Sequence, residues 1–357
     1  MTLAGSWLGP QIDYRREGLH VFTEADVGEI DRALAHLRGL GDLDFPEITP
    51  QTFPLERVGA DMTSLRQRLL DGRGFVLLRG IPRARYDVDD MARIYFGLGS
   101  HLGVPMVQSH LGDLLGHVID VSDLEPRSRG YRKGGGQEMH ADSTDLCDIV
   151  GLMCLRRARS GGASRISSAL AVWQSLQQDR PDLAEVLRRG YYFRRGDADG
   201  EQAQRWQSEE RIAAFAESDG RVSCYLVGSY PRRAAAAGGR PLSALEAEAL
   251  AEAERRAASP SFYLDMSFDE GDIQFLNNRI ILHGRTDYVD DPALSQRRHL
   301  MRLWLRVPSW PALPPQQVFN TPAEQQLWAG NRHRLAELPS VHLQHLAGLA
   351  RSGTADT

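Results

Sequence analysis

From Ile149 to Val307 the chain is broken into short apolar runs separated by glycine, proline and polar residues. The runs are Ile149–Leu155, Tyr191–Arg194, Val222–Val227, Phe262–Phe268, Ile273–Leu276 and His299–Val307. Their lengths are those of strands, and helices do not alternate with them one for one. The expected fold class is therefore α+β, an antiparallel sandwich or barrel with flanking helices, and not a doubly wound βαβ sheet. No Gly-x-Gly-x-x-Gly follows a strand and no Gly-x-x-x-x-Gly-Lys-Ser/Thr occurs, which sets aside the nucleotide-binding α/β folds. With 357 residues, 42% of them apolar, the chain can bury a sizeable core.

Helical spacing appears at Thr23–Leu40, where Val27, Ile30, Leu34 and Leu37 share a face, and again over Asp87–Leu102. Between them, Gly74-Phe-Val-Leu-Leu-Arg-Gly80 reads as a buried strand. Ser168–Gln178 and Leu183–Arg189 read as helices on either side of Pro181, and Ser243–Ala258 as a third, opened by a Ser243/Glu246 capping box. Arg232–Arg240 and the tail after Gly348 are the expected loose segments. The expectation is a single domain. Residues 1–72 would form a helical N-terminal extension, 73–310 the core with a helical insertion at about 228–260, and 311–357 a C-terminal extension.

Charge excludes some partners. The formal net charge is -5, so a dedicated nucleic-acid binder, which must neutralise phosphates, is not expected. All but one of the 42 basic residues are arginine, and Lys133 is the exception. No apolar stretch is long enough to span a membrane, and Met1–Asp13 lacks the pattern of a signal peptide. Cys147, Cys154 and Cys224 form no CxxC pair. They are expected to be reduced thiols in a cytoplasmic protein.

Two histidines have company. In His140-Ala141-Asp142 an imidazole and a carboxylate lie two residues apart, on one side of an extended segment. A third ligand is needed from elsewhere, and His283 is the natural candidate. It follows the polar turn Asn277-Asn278 and a short apolar run. Two histidines and one carboxylate form the facial triad of non-heme iron oxygenases, although the same donors also suit zinc. Arg298 and Arg302, four apart on an expected strand, face one side. A guanidinium turned into a metal cavity needs an anion, and a dicarboxylate supplies one. Arg297 and Arg306 are expected on a solvated face.

The segments 137–164 and 271–306 resemble the taurine dioxygenase family of Fe(II)- and 2-oxoglutarate-dependent oxygenases, which includes the clavaminate synthase-like enzymes. The likeness extends more weakly from Gly74 to Leu305, about two-thirds of the chain. It implies a double-stranded β-helix, a jelly-roll of cupin type. It implies that His140, Asp142 and His283 bind iron and that Arg298 binds 2-oxoglutarate. Arg302 would hold the co-substrate or an anionic group of the substrate. The family's Gly-Gly-x-Thr appears here as Gly161-Gly162-Ala163-Ser164, so Ser164 carries the hydroxyl that touches the oxoglutarate carboxylate. Related halogenases lack the carboxylate ligand. Asp142 is present, which points to hydroxylation, desaturation or ring formation.

The implied cofactors are Fe(II), 2-oxoglutarate and O2, and the implied products are an oxidised small polar molecule, succinate and CO2. The substrate would be an amino acid or a biosynthetic intermediate. By the same resemblance Tyr131, Lys133, Gln137 and Glu138 line the substrate side, with Gln108 and His110 from the preceding strand. Arg232 and Arg233 are read as surface residues that could also sit on a lid. Trp173, Trp206, Trp304 and Trp310 are read as core. The competing readings are a metal-dependent hydrolase built on the same three residues and a non-catalytic cupin-like binding protein. No nucleic-acid or membrane partner is expected, and base rates make a homodimer the expected assembly.

Overall fold

The computed structural model describes residues 3–109, 112–123, 134–195, 207–238 and 240–332. His110, Tyr131, Lys133, Trp206 and the tail after Gly348 lie outside the described residues.

In chain order the strands begin with β1 (Leu19–Val21), β2 (Phe75–Arg79), β3 (Val104–Pro105), β4 (Leu115–Ile119) and β5 (Gln137–His140). They continue with β6 (Ile149–Arg156), β7 (Ser160–Gly161), β8 (Ser164–Ser168), β9 (Phe215–Ser218) and β10 (Arg221–Cys224). The last five are β11 (Tyr263–Met266), β12 (Ile273–Asn277), β13 (Ile281–Arg285), β14 (Tyr288–Val289) and β15 (His299–Arg306). The larger sheet runs β1-β2-β12-β6-β15-β3, with β4 also on β15. The smaller runs β11-β8-β13-β5. All pairings are antiparallel except β1 with β2.

Period-two burial assigns the two faces of the larger sheet. Phe75, Leu77, Val150, Leu276 and Leu300 point between the sheets, toward Ile166 and Met266 of the smaller one. Val76, Leu78, Ile273, Phe275, Met301 and Leu303 point the other way, into a second core with Ile30, Leu34, Met62, Leu65, Tyr95 and Leu98. These last six come from three helices, Glu24–Gly39, Arg57–Asp71 and Val88–Leu102. The result is the jelly-roll expected from the sequence, two facing sheets with helices covering the outer face of the larger.

Several local expectations change. Arg232–Arg240 is largely ordered, since Ser229–Gly238 is a helix. Its alanines are the strongest helix formers, and Arg232 pairs with Glu254 of the neighbouring helix Ala244–Ala257. Tyr191–Arg194 makes only isolated bridges, to Ile212 and Gln207. The first 72 residues are not helical throughout, because β1 adds a parallel edge beside β2. Arg297 is buried, not solvated, and grips both oxygens of Asp123 at 2.7 Å. The Ser243/Glu246 capping box is present as expected. The three thiols are buried and unpaired, and no helix among the described residues is long and apolar enough to cross a membrane.

Candidate metal and anion site

The smaller sheet brings the distant histidines together. His140 on β5 and His283 on β13 are register partners, and before the next pair, Gln137 with Arg285, β5 carries one extra residue, a bulge. The bulge lets Gln137 and His140, three apart, face the same cavity. Asp142 follows immediately after β5. One donor atom from each of His140, Asp142 and His283 lies within 4.8 Å of the others. His140 Nε2 stands 3.8 Å from Asp142 Oδ1, and His283 Nε2 stands 4.0 Å from Asp142 Oδ2.

The surroundings set the state of these groups. His140 Nδ1 lies 2.9 Å from the Glu138 carbonyl, which can only accept, so Nδ1 carries the proton and Nε2 offers its lone pair. Burial, and then the adjacent His140 ring, pushes His283 down to about 3, which keeps this imidazole neutral. Burial alone would raise Asp142. Arg302, His283, His140 and the Trp304 indole outweigh it and hold the carboxyl below its ordinary range. A neutral imidazole at His283 and an ionised carboxylate at Asp142 are donor states a divalent cation requires.

Asp142 is fixed from every side. Trp304 donates its indole N–H to Oδ2 at 2.8 Å. Arg302 Nη1 approaches Oδ1 at 3.3 Å, while its Nε is held by Gln108 Oε1 at 2.8 Å. The Asn278 side chain clamps the backbone. Its Oδ1 accepts from Asp142 N at 2.8 Å, and its Nδ2 donates to the carbonyls of Asp142 at 3.2 Å and Cys147 at 3.0 Å.

A cavity of about 40 Å³ adjoins this cluster, lined by Gln137, His140, Ser164, His283, Arg285, Arg298 and Arg302 with apolar walls from Val118, Leu152, Phe268 and Leu300. Arg298, Leu300, Arg302 and Trp304 alternate along β15, so the four-residue spacing does put both arginines on one face. Their company differs. Arg302 leans on Asp142. Arg298 is buried, donates to the Gly162 carbonyl at 3.2 Å, and makes no ion pair with a carboxylate among the described residues. Burial, then the nearby Arg285 guanidinium, pushes Arg298 down to about 10. A buried cation in this position is a site awaiting an anion. Gly161 and Gly162 both take φ +72°, and a Cβ on Gly162 would come within 3.0 Å of Arg298 Nε. The glycine pair thus lets β8 start close beside the guanidinium, with the Ser164 hydroxyl in the same cavity.

Of the remaining residues singled out from sequence, Gln137 lines the cavity and Glu138 is exposed. Gln108 is buried behind Arg302. Trp173 and Trp310 are core residues, whereas Trp304 is also a hydrogen-bond donor to Asp142. The sequence reading missed that role and those of Asn278, Arg285 and Gln274. Strict alternation from Arg298 could have placed Trp304 on the inner face.

The chain matches the model of a family described as taurine catabolism dioxygenase TauD, TfdA family, over residues 40–304. A FR-33289 synthase of Streptomyces rubellomurinus is 28% identical over 307 residues, covering 84% of this chain and 88% of that protein. A taurine hydroxylase-like protein, SAT17, of Stachybotrys chartarum is 31% identical over 317 residues, covering 84% of this chain and 77% of that protein. Among solved structures, an asparagine oxygenase in complex with Fe(II), 3-hydroxyasparagine and succinate superposes with a TM-score of 0.64 at 15% identity, covering 80% of this chain and 93% of that one. The non-heme iron oxygenase OrfP, in complex with Fe and alpha-ketoglutaric acid, gives 0.59 at 16% identity, covering 81% and 93%.

Proposed function

This chain belongs to the TauD, TfdA family of non-heme Fe(II)- and 2-oxoglutarate-dependent dioxygenases, and from that premise we propose that it hydroxylates an unactivated C–H bond of a small polar substrate such as an amino acid or a biosynthetic intermediate. In this reading His140, Asp142 and His283 hold the ferrous ion. Arg298 and Ser164 hold the distal carboxylate of 2-oxoglutarate, and Arg302 braces Asp142 while facing the cavity. When bound, the iron and 2-oxoglutarate supply O2 activation, with succinate and CO2 as co-products and a C–H bond as the site of oxidation.

The observation that carries the proposal is the pairing of two unlike sites in one cavity. A cluster of two imidazoles and a carboxylate stands beside a buried guanidinium that pairs with no carboxylate among the described residues. A hydrolase on the same triad leaves Arg298 without a purpose. The protein's own residues prepare the rest. Trp304 and Arg302 fix the rotamer of Asp142, and Glu138 fixes the His140 tautomer. Leu152, Phe268 and Leu300 keep bulk water from the reacting centre. The Gln137 amide nitrogen sits 3.3 Å from His140 Nε2, so loading the site turns that side chain aside. The substrate class rests on the asparagine and arginine derivatives found in the fold's solved relatives. A homodimer in a cytoplasmic setting completes the proposal.

The test is aerobic incubation with Fe(II), 2-oxoglutarate and a panel of amino acids and carrier-bound aminoacyl conjugates. Succinate released in step with a product 16 mass units heavier is expected, as follows from insertion of one oxygen atom. A product formed with no succinate would contradict the proposal.

A further inference from the structure

Gln274 points between the two sheets from β12, whose adjacent positions Ile273 and Phe275 face the helices, and it is fully buried. A buried carboxamide needs partners at both ends. Its Oε1 accepts from Ser164 Oγ at 2.8 Å, and its Nε2 donates to the Met266 thioether at 3.1 Å. Thioether sulfur is a weak acceptor, so the amide is held chiefly through the serine that lines the cavity beside Arg298.

A serine hydroxyl has one proton to give. In this arrangement it is committed to Gln274, and lone pairs of Ser164 are left for the cavity. A carboxylate drawn in by Arg298 needs the reverse, an O–H donor. A half-turn of the Gln274 carboxamide reconciles the two demands. Nε2 then donates to Ser164 Oγ, and the hydroxyl proton turns to the carboxylate, giving a chain N–H···O–H···O⁻ in which each bond polarises the next. The turn exchanges the N–H···S contact for an Oε1 left against the thioether without a donor, a cost offset by the charge-assisted bond to the carboxylate.

We propose that Gln274 is a positioning residue for the co-substrate, holding the Ser164 hydroxyl inward before loading and reversing it to donate to the distal carboxylate of 2-oxoglutarate. The inference rests on the reading of Arg298 and Ser164 as the co-substrate site. Its test is a double-mutant cycle read by calorimetric titration of 2-oxoglutarate into Mn(II)-loaded protein. Gln274→Met keeps the length of the side chain and removes its donor and acceptor. It should raise the 2-oxoglutarate Kd roughly three- to tenfold with the Mn(II) Kd unchanged, and should cost nothing further in a Ser164→Ala background. Gln274→Glu, nearly isosteric and able only to accept when ionised, keeps the hydroxyl proton inward and should weaken binding more than the methionine does; it serves as the second variant if the methionine protein does not fold. An unchanged Kd in Gln274→Met, or an equal loss with and without the Ser164 hydroxyl, would overturn the role of Gln274 while leaving the co-substrate site standing. Wild-type affinity in Ser164→Ala would overturn both.

Discussion

His140 and His283 are direct partners across the β5–β13 ladder, with ring centroids 4.5 Å apart and ring planes tilted by 43°. Register pairing is the tightest approach a sheet gives to residues far apart in sequence. It makes the separation of the two imidazoles a property of the backbone ladder rather than of flexible side chains. Asp142, just beyond the end of β5, then needs only its rotamer fixed to complete the triangle, and Trp304 does that.

Trp304→Phe should keep the packing and remove the N–H that holds Asp142 Oδ2. Loss of such an outer partner typically weakens metal binding about 10- to 100-fold. Equilibrium titration with Fe(II) under anaerobic conditions, or with Co(II), should show that loss with the melting temperature little changed. A metal affinity equal to wild type would show that the indole is there for packing alone.

Arg298 should trade stability for binding. The fold disfavours its cation, pushing it down from the ordinary guanidinium range to about 10, so the cost is in place at every pH below about 10 and fades only above it. That depression corresponds to about 3 kcal/mol, an upper bound on what Arg298→Met could return to the unloaded protein. The variant should therefore melt higher than wild type without ligand, gain nothing from added 2-oxoglutarate, and show a co-substrate KM raised roughly 10- to 100-fold. Thermal melts with and without 2-oxoglutarate check the first two signs, and steady-state kinetics at varied 2-oxoglutarate checks the third.

Gly162→Ala should damage the same site by another route. The φ of +72° costs a side-chain-bearing residue about 1–2 kcal/mol, and the new Cβ presses on Arg298 at 3.0 Å. Chemical denaturation should report that loss, and 2-oxoglutarate titration should report weaker binding. Ala163→Gly, next door, should do neither.

Acid should loosen the metal-free protein. His283 has its folded value pushed from 6.5 to about 3, so the unfolded chain takes up a proton that the fold refuses. The stability tied to neutral His283 is whole above pH 6.5 and is lost as pH falls from 6.5 toward 3. At pH 5 the loss is about 2 kcal/mol. Asp142, lowered in the fold, acts in the same direction. Denaturation of chelator-treated protein at pH 7 and pH 5 should show a steeper loss for wild type than for His283→Gln, and parallel losses would contradict a buried neutral imidazole.

Much of this site was legible because its signals are local. His140-x-Asp142 needs only an extended segment, and Arg298 with Arg302 needs only the period of two along β15. The Gly161-Gly162 pair announces a positive-φ turn. What stayed hidden depends on partners far away in sequence. Arg297 looked solvated because Asp123, which buries its charge, lies 174 residues earlier. Gln274 sat inside an apolar run that gives no hint of which face looks inward. β1 is three residues long and pairs in parallel, so no hairpin turn marks it. The alanines of Ser229–Gly238 were read through their flanking glycines and prolines, although alanine itself favours helix.

The most direct measurement is anaerobic addition of Fe(II) and then 2-oxoglutarate to the metal-free protein, followed by visible absorption. The account predicts the weak charge-transfer band of a keto acid chelated to ferrous iron, saturating at one equivalent of each, missing in Asp142→Ala and His283→Ala, and requiring far more 2-oxoglutarate in Arg298→Met. A wild-type protein that binds Fe(II) and shows no such band at saturating 2-oxoglutarate, or a band indifferent to those substitutions, would contradict it.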